Sequence, residues 1–111
     1  MAGRYPLTHP QSRIWHVEQS HPGTSMWNNA GTLKIRGHLD FDLLDKAIQL
    51  FLEANESLRL RICLVDGQPM QYVAAYRPVH VDRLDFSSAG VKGLYEWDVR
   101  QTQAPMSLID S

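Results

Sequence analysis

Arg59 and Arg61 are the side chains whose types and spacing most invite chemistry in this sequence. They alternate with Leu58, Leu60, Ile62 and Leu64 in LRLRICLV, residues 58–65. On a strand both guanidinium groups, and Cys63, then project from one face while the leucines and isoleucine line the other. Two readings stay open. The arginines are the solvated face of a half-exposed strand, where charges contribute little. Alternatively, at least one turns inward and meets a carboxylate, a bidentate pairing that would hold two segments in register.

The other candidate groups have simpler explanations. His9, His16, His21, His38 and His80 fall in five contexts without HxH or HExxH spacing, whereas a zinc site needs three or four ligands at compatible intervals. His80 alternates with Val79 and Val81, the pattern of a solvent-facing or hydrogen-bonded structural histidine, and His9 reads as the first residue of a helix. Asp40, Asp42 and Asp45 cluster where a helix should begin, and a positive helix end attracts carboxylates without any catalytic purpose. Neither a GxSxG elbow nor a GxxxxGK or GxGxxG loop occurs. Cys63, the only cysteine, excludes an intrachain disulfide, and its apolar run predicts a buried, inert thiol.

The elements that must carry these residues follow from local signals. Thr8 and Gln11 form a T-x-x-Q capping box, so a helix should start at about His9 and run to Gln19, with Trp15 as its core anchor and SHPG at 20–23 ending it. Residues 26–36 (MWNNAGTLKIR) carry an alternating tail that predicts a half-buried strand. After a turn at Gly37 and His38, Asp40 should cap a helix over 41–55, with Leu44, Ala47, Ile48 and Phe51 as one buried stripe. A strand over 58–65, the turn DGQP at 66–69 and a strand over 70–74 predict a hairpin. PVHVDRL at 78–84 reads as a further short strand. Ser87 or Ser88 should cap a last helix reaching about Gln103, with Val91, Leu94, Tyr95 and Trp97 as its apolar surface and Pro105 as its stop. This order predicts an α+β domain, a mixed sheet with flanking helices.

Composition bounds the function. At 111 residues and 43% hydrophobic, the chain is long enough for one domain or part of one. Eleven basic against 12 acidic residues give a formal net charge of -1, which argues against nucleic acid or an anionic membrane as partner. No apolar run approaches the roughly 18 residues of a membrane span, and MAGRYPLTHP lacks the apolar core of a secretory signal. A soluble cytoplasmic protein is expected.

YPLTHPQSRIW at 5–15 and NESLRLRI at 55–62 together resemble the first two signatures of condensation domains from nonribosomal peptide synthetases. Tyr5, Pro6, Leu7, Thr8, Gln11, Arg13, Ile14 and Trp15 fit the opening signature. Asn55, Glu56, Leu58, Arg59 and Ile62 occupy the His, Glu, Leu, Arg and Phe places of a pattern similar to RHExLRTxF, with Asn for His, Leu60 for Thr and Ile62 for Phe as departures.

The resemblance implies part of the first lobe of a two-lobe, chloramphenicol acetyltransferase-like fold. Carrier domains bring phosphopantetheine-bound acyl groups into a tunnel between the lobes, and the acceptor amine attacks the donor thioester to form an amide. The catalytic HHxxxDG is not in this sequence. The family order places it a little beyond Ser111, so residues 1–111 are expected to be an N-terminal fragment, truncated before HHxxxDG and inactive alone. Thr8, Gln11, Arg13, Trp15, Glu56 and Arg59 are then structural signature residues, none catalytic. The resemblance further pairs Arg59 with the aspartate of HHxxxDG.

The implied partners are the carrier and adenylation domains of the parent and the second lobe, with no cofactor bound directly. Met1 standing four residues before the signature suggests a domain that opens its polypeptide. By the resemblance, such a domain either accepts a peptidyl intermediate from an upstream protein or acylates the first amino acid with a fatty acyl group. Nothing before Tyr5 resembles a long docking helix, which favours the lipid-starting type. The rival reading is a stand-alone binding or self-associating module without catalysis. A fragment would expose apolar surface, notably at Met106, Leu108 and Ile109, and self-association is expected of it.

Overall fold

Thr8 and Gln11 close the capping box that their spacing predicts. In the computed structural model, which describes residues 3–24 and 28–108, the Gln11 amide donates to Thr8 Oγ1 at 3.4 Å and the Thr8 amide to Gln11 Oε1 at 2.8 Å. Helix α1 spans His9–Ser20 and ends where the His21 amide donates to Val17 O. Trp15 on this helix is the only buried apolar residue among those described, so the anchor expected in this helix is present.

The hairpin follows from its two-residue turn. Asp66 and Gly67 have φ of 52° and 78°, the type I′ geometry whose twist matches that of the flanking strands. Strand β2 (Leu60–Val65) therefore pairs antiparallel with β3 (Gln68–Val73), from Val65 opposite Gln68 to Leu60 opposite Val73. Strand β1, Tyr5–Pro6, adds to the other edge of β3 with Tyr5 opposite Gln71 and Pro6 opposite Met70. It stops there because the next position of β3 is Pro69, which has no N–H to offer on that side. The sheet order is β1-β3-β2, antiparallel at both pairings. The α+β class holds, and no parallel pairing lies among the described residues.

Helix α2, Phe41–Ala54, starts where predicted, with Asp40 Oδ1 accepting from the amides of Asp42 and Leu43. The stripe expected to be buried is not: Phe51 is 61% and Leu44 36% exposed, Ala47 is exposed and Ile48 only half-buried. The periodicity is real, but no described element covers that face. Helix α3, Gly90–Gln103, ends before Pro105 as expected. Its start differs, because Ala89 stands at the N-cap and neither Ser87 nor Ser88 caps it. The chain turns instead through Asp85, whose Oδ1 accepts from the Ser87 amide at 2.9 Å. Phe86 then sets its ring 5.6 Å from that of Trp97.

Two predicted strands are absent among the described residues. Residues 28–36 form no ladder; the expected start at Met26 lies outside the described residues. Asn28 donates from Nδ2 to the carbonyls of Thr102 and Ala104, and Thr32 Oγ1 donates to Asp98, so the segment runs along α3 and leaves Leu33 83% exposed. Residues 78–84 likewise pair with no strand. They lie along α2, where Arg83 meets Asp42 at 3.0 Å and its guanidinium sits 5.6 Å from the centre of the Phe41 ring. Alternation is necessary for a half-buried strand, but only a neighbouring strand makes one.

The resulting body measures 50 × 32 × 18 Å with a radius of gyration of 17.1 Å, well above the roughly 13 Å of a compact 100-residue domain. Among the described residues a single sheet carries the helices, without a second layer to close over them.

Candidate functional site

Arg59 occupies the junction of three elements. It closes a single 3₁₀ turn, Glu56–Arg59, that leads from α2 into β2. Its Nη1 donates to the carbonyls of Leu52 (2.7 Å) and Glu53 (2.5 Å), and its Nε donates to Ala74 O at 3.0 Å. Asn55 Nδ2 adds a bond to Phe51 O at 2.8 Å. Three of the last carbonyls of α2, which a helix leaves without partners, are thus met by side chains, and the guanidinium charge lies at the negative end of the helix. Arg59 does turn inward, but onto main-chain carbonyls; no carboxylate among the described residues pairs with it.

Arg61, Cys63 and Tyr72 alternate onto the same face of the hairpin as Arg59. With Leu52 and Glu56 on one side and residues 74–79 on the other, they line an open groove of about 1250 Å³. Arg4 and Arg77 also line it, so among the described residues Glu56 is the one carboxylate beside several guanidinium groups. Arg61 is half-buried and donates from Nη1 to Leu60 O at 3.0 Å. Cys63 is half-buried in the groove floor, not fully buried as its apolar run predicts, because nothing described lies over that face.

The groove wall is held by Gln49. Its Oε1 accepts from the Val79 amide (3.0 Å) and the Tyr76 hydroxyl (2.9 Å), and its Nε2 donates to Val79 O (2.7 Å) and Asp45 Oδ1 (3.0 Å). One side-chain amide pairs with both main-chain groups of Val79, as a neighbouring strand would.

The residues of the opening signature gather on the opposite face. Gln11 Nε2 donates to Gln71 Oε1 at 2.9 Å, and Gln71 Nε2 donates to Pro6 O at 3.1 Å. Thr8 and Gln11 therefore tie the start of α1 to β3, Trp15 is buried on α1, Glu56 and Arg59 stand by the groove, and Arg13 is exposed on α1. Sequence reasoning missed Gln71 and Gln49. The signal for Gln71 was an amide opposite Ile62, on the face where Leu60, Ile62 and Leu64 are apolar and a polar group needs a partner.

The groove presents donors and positive charge suited to an acidic group. Among the described residues it brings no nucleophile, base and orienting group into hydrogen-bond reach of one another. His80 is exposed and meets Asp82 at 3.1 Å, and among the described residues no three His, Cys, Asp or Glu side chains are grouped to hold a metal. No described helix is long and apolar enough to cross a membrane.

The condensation-domain family model matches residues 1–110. The chain belongs to the condensation-domain family. Surfactin synthase subunit 1 of Bacillus subtilis is 37% identical over 111 positions, covering 96% of this chain and 3% of that protein. A plipastatin synthase subunit of the same organism is 28% identical over 110 positions, again 96% of this chain and 4% of the relative. Isonitrile lipopeptide synthase of Mycobacterium tuberculosis is 36% identical over 72 positions, 65% of this chain and 3% of the relative. The solved first condensation domain of the CDA synthetase superposes with a TM-score of 0.79 at 24% identity, over 96% of this chain and 29% of that one.

The fold is therefore a partial lobe of the chloramphenicol acetyltransferase-like architecture. The chain corresponds to part of a nonribosomal peptide synthetase condensation domain, and the stand-alone binding module is not favoured.

Proposed function

We propose that these residues form the N-terminal part of the first lobe of a condensation domain whose parent joins a carrier-bound donor acyl group to the amine of a carrier-bound amino acid. The amine nitrogen attacks the thioester carbonyl, the C–N bond forms as C–S breaks, and the amine proton leaves with the phosphopantetheine thiol. The observation that supports this most is the family match over residues 1–110. The catalytic histidines belong to HHxxxDG, which follows in the parent chain. The groove beside Arg59, poor in carboxylates, is suited to receive the aspartate of that motif. Thr8, Gln11, Arg13, Trp15, Glu56 and Arg59 support this part of the lobe and touch no substrate.

The partners are the carrier and adenylation domains of the parent and the second lobe, working in the cytoplasm, with phosphopantetheine arriving on the carriers. A fatty acyl donor is the finer reading, and the relative named a lipopeptide synthase favours it. Isolated, the chain self-associates: Met106 is 62% exposed and Leu108 half-buried, Ile109 lies outside the described residues, and Phe51, Leu50, Leu43 and Leu64 are each at least half exposed. Reading the parent frame tests the assignment. HHxxxDG within roughly the next forty residues, well inside one domain's length, is the expected result, and its absence would overturn the placement.

A further inference from the structure

We infer that isolated chains associate through the outer edge of β2, which pairs antiparallel with the same strand of a second copy about a two-fold axis at Ile62. The inference rests on the self-association reading above and specifies its contact.

Strand β2 is at the edge of the sheet, and no described residue pairs with its outer side. The Ala74 amide donates to Arg59 O at 2.8 Å, which fixes the parity: Arg59, Arg61, Cys63 and Val65 spend their main-chain groups on β3. The N–H and C=O groups of Leu60, Ile62 and Leu64 therefore point outward. Leu60 is 38% and Leu64 50% exposed, an apolar fringe on an open ladder, which is the arrangement that templates strand addition. Only the Leu60 carbonyl has a local guard, the Arg61 guanidinium at 3.0 Å.

Register selects the partner geometry. With the axis at Ile62, Leu60 lies opposite the partner's Leu64 and Ile62 opposite the partner's Ile62, so every outward main-chain group finds a mate and the apolar side chains meet on one face. On the other face Arg61 lies opposite the partner's Cys63, and the two arginines stay a diagonal step of about 7–8 Å apart. An axis at Arg61 would set like charges directly opposite. An axis at Cys63 would run Leu60 against the turn at Asp66 and lose a ladder pair. The pairing at Ile62 makes a six-stranded sheet with both α1 helices on one side.

The test combines sedimentation of the 111-residue chain with disulfide mapping. The Arg61→Cys chain is treated with oxidised glutathione, which takes up the two electrons and two protons released by each pair of thiols. The new thiol then closes onto the partner's Cys63, giving a covalent dimer with two bridges. In the unsubstituted chain Cys63 faces an arginine and no interchain bridge forms. Ile62→Pro removes an outward N–H without breaking the intrachain ladder, so the dimer's Kd rises at least about tenfold while the circular dichroism is kept. A dimer in which Arg61→Cys does not cross-link, or in which unsubstituted chains link through Cys63, overturns this contact and leaves self-association standing. A monomer at all concentrations overturns both.

Discussion

The side-chain amide of Gln11 donates to that of Gln71 at 2.9 Å, joining residues sixty positions apart in the sequence. The same Gln11 closes the capping box with Thr8, and the same Gln71 donates to Pro6 O. One polar chain thus fixes the start of α1, the short strand β1 and the central strand β3 to one another. Gln11 serves as cap and as bridge, which ties the local signal of the opening signature to the tertiary fold.

Removing either amide should therefore cost more than a surface change. Gln11→Ala loses a cap and a bridge, together about 2 kcal/mol, and Gln71→Ala about 1–2 kcal/mol. Because the two share a bond, the double variant should lose less than the sum, by about 0.5–1 kcal/mol in a denaturant cycle. Gln11→Glu keeps the acceptor for the Thr8 amide and loses the donor, and should fall between.

Arg59→Ala leaves carbonyls at the end of α2 and at Ala74 without their donor and should destabilise by about 2–3 kcal/mol. Arg59→Lys should recover only part of this, since an ammonium cannot span helix and strand carbonyls with one planar fork. Hydrogen exchange in the last turn of α2 and the first residues of β2 should rise in both variants.

Gln49→Ala should release the segment around Val79 while sparing the hairpin. The Val79 amide should lose protection from exchange by about tenfold, equivalent to one hydrogen bond, with amides of β2 and β3 unchanged. Gln49→Glu keeps an acceptor for Val79 N–H but not the donor for its carbonyl, so it should protect that amide partially.

Asp85 gives a pH prediction. Hydrogen bonds from the Ser87 amide, and secondarily from the Ser87 side chain, hold its carboxyl below the ordinary aspartate value. A carboxyl whose folded value is depressed adds stability at pH above its unfolded value, and that stability is lost as pH falls through the folded one. The Ser87 amide shift should titrate with a midpoint below that of an unperturbed aspartate, and Asp85→Asn should abolish the titration.

How much of this was legible depended on distance along the chain. The capping box at Thr8 and the turn at Asp66–Gly67 need only a few adjacent residues, and both form as their spacing predicts. The helix over 41–54 was equally plain, since Asp40 and the apolar spacing are local. Whether Phe51 is covered, or residues 32–36 pair, depends on neighbours that local spacing does not name. Gln71 and Gln49 were invisible for the same reason: each amide is explained by a partner 60 or 30 residues away. At Arg59 the sequence offered water or a carboxylate, and the answer was the end of the preceding helix.

The assignment of catalysis to a motif outside this chain is tested most directly by amide formation with carrier-bound donor and acceptor, read by mass spectrometry of the acceptor carrier. The account predicts product from the parent domain carrying HHxxxDG and none above background from the 111 residues alone. Robust amide formation by the 111-residue chain would contradict it.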